Sequence, residues 1–181
     1  MRGIRIGSAF GIPIKLDLTF LLVLPLFAWL IGNDVASLTG VVNDVSGSAI
    51  DVAPLTAGST QWVLGSAAAI GLFACVLLHE FGHSLVAMRY GYEIESITLW
   101  LFGGVARFTE MPEDWRQELT IAIAGPIVSL GLGVVAYLGF LLLPTALDPV
   151  KFVVGYLALT NVVLAVFNML PGFPMDGGRV L

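Results

Sequence analysis

The sequence predicts a polytopic α-helical membrane protein: about four transmembrane helices with a small membrane-associated β-sheet or hairpin. Composition carries the first part of that reading, because 57% of the 181 residues are hydrophobic and only 12% are charged, with a mean hydropathy of +0.94. A soluble domain of this size has about twice that share of charge. Spacing carries the second part. Apolar runs at residues 18–32, 62–90, 119–143 and 152–170 are separated by stretches rich in charge, Gly or Pro, and the longer ones match the ~20 residues needed to cross a bilayer. A net charge of -5, without a basic stripe, argues against a nucleic-acid partner. Cys75 is the single cysteine, so no internal disulfide can form.

In chain order, residues 1–17 place Arg2, Arg5 and Lys15 among alternating apolar residues, the pattern of a short strand on the membrane surface. The run at 18–32 has the length of a signal-peptide core, but no small-x-small cleavage site follows at once, so it reads as an uncleaved first helix. Residues 33–61 are rich in Gly, Ser, Thr and Asp and hold no Lys or Arg; they read as a water-exposed, non-cytoplasmic loop. The second helix spans 62–90. Residues 92–108 break the helical pattern: 93–99 alternate as a strand does, and Gly103-Gly104 marks a hairpin turn. Two further helices follow, at 119–143 and 152–170. Beyond Asn168, two prolines and three glycines before Arg179 must unwind the chain, which membrane depth tolerates only where the backbone is buried or lines a cavity. Arg2, Arg5, Lys15, Arg89, Arg107, Arg116 and Arg179 fall on one face and only Lys151 on the other. The positive-inside rule then puts the N-terminus in the cytoplasm of a multi-pass cell-membrane protein, with Asp176 and His83 toward that same side.

The chemistry is concentrated in the second helix, where His79-Glu80-Phe81-Gly82-His83 contains the only two histidines of the chain. Four residues of helix put both imidazoles on one face, where they can grip one zinc ion, and Glu80 can reach a water on that ion. Ionisable groups at this depth are costly and are seldom retained without a function. A zinc hydrolase needs a third protein ligand and an open position for water. With no other histidine, that ligand must be a carboxylate, and Asp176 is the best placed by depth; Cys75, one turn before His79, reads as a small buried hydrophobe.

These residues resemble the site-2 protease family of intramembrane zinc metalloproteases, in its archaeal and bacterial branch. The matching positions are His79-Glu80-Phe81-Gly82-His83, Gly103-Gly104, Ala124-Gly125-Pro126, and Asn168-x-x-Pro171-x-x-Pro174-x-Asp176-Gly177-Gly178, together with the opening Gly11-Ile12-Pro13-Ile14. The resemblance implies one Zn2+ per chain held by His79, His83 and Asp176, Glu80 as general acid/base, and Asn168 in substrate positioning or oxyanion stabilisation. It implies an intramembrane endopeptidase acting in regulated intramembrane proteolysis, whose partners are the lipid bilayer and a transmembrane segment of a membrane-anchored protein such as a tethered transcription factor or an anti-sigma factor. Members usually continue past the Asp-Gly-Gly motif with further helices and, in this branch, often with cytoplasmic CBS domains; residues 1–181 thus read as a membrane core lacking C-terminal helices and any regulatory domain. The alternative is a non-catalytic metal-binding or metal-transporting membrane protein. Glu80 argues against it, since transport has no need of an acid beside a His pair, and the chain has no internal repeat.

Overall fold

The computed structural model describes residues 3–101, 103–110, 112, 114–172 and 175–179. Strands β1 (Gly3–Ala9) and β2 (Ile12–Asp17) precede helices α1 (Phe20–Asn33), α2 (Val35–Ser46), α3 (Ala53–Thr56) and α4 (Thr60–Arg89). Strands β3 (Ile94–Trp100) and β4 (Gly103–Phe108) follow, then α5 (Trp115–Leu142) and α6 (Asp148–Asn168), and a 3-10 turn at Asp176–Arg179. The stretches Thr60–Arg89, Trp115–Leu142 and Thr145–Asn168 are each long and apolar enough to span a membrane, and α1 with α2, bent by 71° at their junction, could form a fourth, broken span. The protein is an integral membrane protein built on these helices.

Local chemistry explains where the elements begin and stop. Asp114 caps α5, its carboxylate accepting from the Arg116 backbone N–H at 2.9 Å, so the helix starts a turn before its apolar run. Pro149 occupies the first turn of α6, where its missing N–H costs nothing. At the β2–α1 junction Asp17 accepts from the Thr19 N–H at 3.0 Å and the Thr19 hydroxyl at 2.8 Å; these bonds to the charged form hold its carboxyl below the usual range.

Three details differ from the sequence reading. Residues 33–61 are not simply a loop: α2 buries Val35, Thr39 and Val42, positions spaced by four and three that form one helical face against α6. Polar content hid that face, and Thr39 is satisfied locally by donating to the Val35 carbonyl at 2.6 Å. The N-terminal stretch is a hairpin of two strands turning at Phe10 and Gly11, both at positive φ. In the second hairpin Gly103 and Gly104 do not form the turn but are already paired in β4, opposite Trp100 and Leu99.

The sheet order is β1-β2-β3-β4, with β2 and β3 parallel and the outer pairs antiparallel. The sheet rests on α4: Ile12 and Ile97 pack around Phe81, and Leu99 joins Phe20, Val23, Phe73 and Val76 where α1 meets α4. A second apolar core lies toward the other end of the bundle, built from Ile31, Val35, Leu64, Ala68, Phe140 and Phe152 among others. β4 is thus an edge strand held alongside the middle of α4.

Candidate metal centre

His79 and His83, one turn apart on α4, are both buried, at 3% and 4% exposure. Asp176 is brought to them by the tight path after α6, in which the Met175 N–H bonds the Gly172 carbonyl at 2.8 Å and the Gly178 N–H bonds the Met175 carbonyl at 3.0 Å. Three atoms converge: His79 Nε2 lies 3.0 Å from Asp176 Oδ2, His83 Nε2 lies 3.1 Å from the same oxygen, and the two Nε2 atoms are 3.1 Å apart. Two ligand atoms each ~2.05 Å from one tetrahedral zinc ion stand ~3.3 Å apart, so the triangle is close to the required size.

Hydrogen-bond direction supports the same fit. His83 Nδ1 lies 2.7 Å from the Ile121 carbonyl. A carbonyl only accepts, so the proton sits on Nδ1, and a neutral His83 turns a bare Nε2 lone pair toward the Asp176 carboxylate. In that neutral form Nε2 is available to a cation beside the carboxylate, and a His-His-carboxylate set is a zinc-type donor set. No other His, Cys, Asp or Glu joins this group among the described residues, and Cys75 is not part of it.

Helix α5 closes the site at Gly125. A Cβ there would overlap His83 Nε2 and come within 2.5 Å of His83 Cε1 and 2.7 Å of His79 Nε2, so only glycine lets the helix pass this close. Glu80, half-buried, lies beside His79, His83 and Asp176 with its side chain against β4. A Cβ on Gly104 would collide with its side chain, which lies within hydrogen-bonding reach of the Ala106 backbone N–H. Asn168 donates through Nδ2 to the Leu164 carbonyl at 2.9 Å, and no described contact joins it to His79, His83 or Asp176. Pro174, in the motif read from sequence, lies outside the described residues.

Sequence reasoning marked Gly125 within the Ala124-Gly125-Pro126 motif but missed what it approaches. It also missed Ser129, whose buried hydroxyl lies 2.9 Å from His79 Nδ1, and the Ile121 carbonyl. A signal was present in the spacing, since Ile121, Gly125 and Ser129 recur every four residues on one face of a helix.

A bundle of helices long and apolar enough to span a membrane, with two buried imidazoles and a partly buried carboxylate gathered at one point, defines a membrane protein with a candidate internal metal site. Residues 67–147 match Peptidase family M50. The chain is 40% identical over 181 residues to sll0528 of Synechocystis sp., covering 98% of this chain and 43% of that protein. It is 37% identical over 183 residues to Zinc metalloprotease MJ0392 of Methanocaldococcus jannaschii, covering 98% and 44%. The chain therefore spans less than half the length of these relatives. The solved structure of the Site-2 Protease from Methanocaldococcus jannaschii superposes with a TM-score of 0.63 at 33% identity, covering 99% of this chain and 69% of that one. This chain belongs to the site-2 protease family, Peptidase family M50.

Proposed function

We propose that the protein is a zinc-dependent intramembrane endopeptidase that cleaves transmembrane segments of membrane-anchored proteins, tethered transcription factors and anti-sigma factors being the substrates that regulated proteolysis would use. The observation that carries this reading is the convergence of His79, His83 and Asp176 within 3.1 Å of one another, with Glu80 next in sequence to the first ligand. Zinc held there would supply Lewis-acid polarisation of a water and of the scissile carbonyl. Glu80 takes the proton of the attacking water and returns it to the leaving amide nitrogen. The packed helices keep bulk water away from that transfer, so the charges involved act in a low dielectric.

A helical substrate hides its carbonyls and must be cut in an extended form. β4 suits that need because it is an edge strand, with a strand neighbour on one side only, so that a further strand can be added, and because Gly104 abuts Glu80. Asn168, at the end of α6, would position the unwound segment or its oxyanion once its bond to the Leu164 carbonyl is exchanged. The metal-transport alternative gives no role to Glu80 or to the edge strand beside it.

The deciding experiment combines zinc content with cleavage of a transmembrane test substrate. Glu80→Gln leaves all three ligands, so zinc should stay near one per chain while turnover falls by ~10² to 10⁴-fold, the usual contribution of a positioned acid/base. Asp176→Ala removes a ligand, and zinc affinity should fall by more than the ~10 to 100-fold typical of an outer-sphere partner, with activity following. Full zinc in Asp176→Ala together with loss in Glu80→Gln would reverse the roles. The distribution of basic residues also orients the site toward the cytoplasm. Cysteine at exposed Asp44 should react only with an impermeant reagent applied outside cells, and cysteine at exposed Glu110 only after permeabilisation; the opposite labelling would overturn this orientation.

A further inference from the structure

The two histidines are held at their far nitrogens by different kinds of group, both on α5. His83 Nδ1 meets a backbone carbonyl, that of Ile121, at 2.7 Å; His79 Nδ1 meets a side-chain hydroxyl, that of Ser129, at 2.9 Å. Ser129 is fully buried. Hydroxyls inside membrane helices commonly bond the carbonyl one turn back, and that is what Thr39, Ser66, Thr120 and Thr160 do here, at 2.6 to 2.8 Å. Ser129 instead reaches across to another helix and meets a ligand.

From this geometry we infer that Ser129 is the positioning residue for His79, fixing its ring plane and tautomer so that Nε2 faces the metal. The inference rests on the metal centre proposed above but not on proteolysis. With zinc present, Nε2 must offer its lone pair, so Nδ1 carries the proton and the Ser129 oxygen accepts it. Without zinc, the proton can move to Nε2 and bond the Asp176 oxygen 3.0 Å away, and the same hydroxyl then donates to Nδ1. A carbonyl cannot serve both states, because it has no proton to give. His83 is therefore the fixed ligand and His79 the adaptable one. The carbonyl and the hydroxyl stand one turn to either side of Gly125, so a single face of α5 orients both rings and leaves room for them.

The experiment measures zinc affinity by chelator competition, and the visible spectrum of the cobalt-substituted protein, on purified protein in detergent. Ser129→Ala should weaken zinc by about 10 to 100-fold, the range typical of removing a partner of a ligating histidine, and should shift the cobalt bands because the His79 ring is released. Ser129→Thr restores a hydroxyl and should recover both readouts to within a few-fold of wild type. A purely structural serine would alter thermal unfolding of the metal-free protein and leave the cobalt spectrum unmoved. If Ser129→Ala does not fold, Ser129→Cys keeps the size but offers only a weak acceptor, and must show the same direction of loss. Wild-type zinc affinity in Ser129→Ala or Ser129→Cys, or a Thr variant as impaired as Ala, overturns the assignment. A wild-type protein that takes up no zinc removes the metal centre and this inference together, whereas stoichiometric zinc without proteolysis leaves the inference standing and removes only the proposed activity.

Discussion

The two ends of α5 face neighbours of opposite character. From Ile121 to Ser129 the helix presents a carbonyl, a glycine and a hydroxyl to the histidines of α4, and the imidazole nitrogens there are all within hydrogen-bonding distance of a partner. From Gly133 to Phe140 it lines an apolar groove of about 320 Å³ with α2 and α6, walled by Val42, Val45, Tyr137, Ala158 and Val162 among others. Polar groups at membrane depth are tolerable only when fully partnered, so the site end has one workable geometry and little slack. The groove end is held mainly by apolar contacts, with the Lys151 ammonium 5.0 Å above the Phe140 ring, and such contacts adjust to small changes of shape at modest cost. The same helix thus combines a region where every atom is constrained with one where volume is loosely specified.

The same substitution at two glycines eight residues apart breaks or sharpens this contrast. Gly125→Ala has the largest expected effect: its methyl carbon would occupy the space where the two Nε2 atoms converge, and neither ring can retreat without losing Ser129 or the Ile121 carbonyl. Zinc content should fall to near zero and cleavage with it, while the helices still form, measured by metal analysis beside circular dichroism. A variant retaining stoichiometric zinc would mean that α5 does not crowd the ligands as described.

The legibility of the two ends from sequence follows the same division. The candidate ligand set could be read because its chemistry is rare: the only two histidines are one helical turn apart, and an acidic residue lies among glycines and prolines. The residues that hold the ligands could not, since a serine, a glycine and a backbone carbonyl in an apolar helix look like ordinary packing until the partner helix is in place. The strands at 93–108 left an alternating pattern, yet nothing local showed that β3 would become an interior strand with Ile97 fully buried. Its other neighbour is β2, paired in parallel by residues 14–16, and a long-range parallel pairing leaves no trace in either stretch. α2 escaped notice because a short helix packed on a bundle needs only one apolar face, and its Ser, Thr, Asn and Asp content resembled a loop.

Gly133→Ala is the small-effect counterpart. An added methyl carbon there meets the Ala158 carbonyl oxygen at 3.2 Å, Val162 Cγ2 at 3.4 Å and Asn161 Cβ at 3.5 Å, so the approach is tight but without overlap of the kind at Gly125. Two opposing terms then nearly cancel. Alanine is favoured over glycine inside a helix by up to about 1 kcal/mol, while pushing α6 back by a few tenths of an ångström costs packing of similar size, at the low end of the 1–3 kcal/mol typical of overpacking. The groove beside this contact gives α6 room to yield, a freedom the histidines lack. Thermal stability in detergent should therefore change by no more than about 1 kcal/mol in either direction, and zinc affinity should match wild type. Loss of zinc in Gly133→Ala would show that the two ends of α5 are coupled along the helix, and that the groove takes part in holding the metal centre.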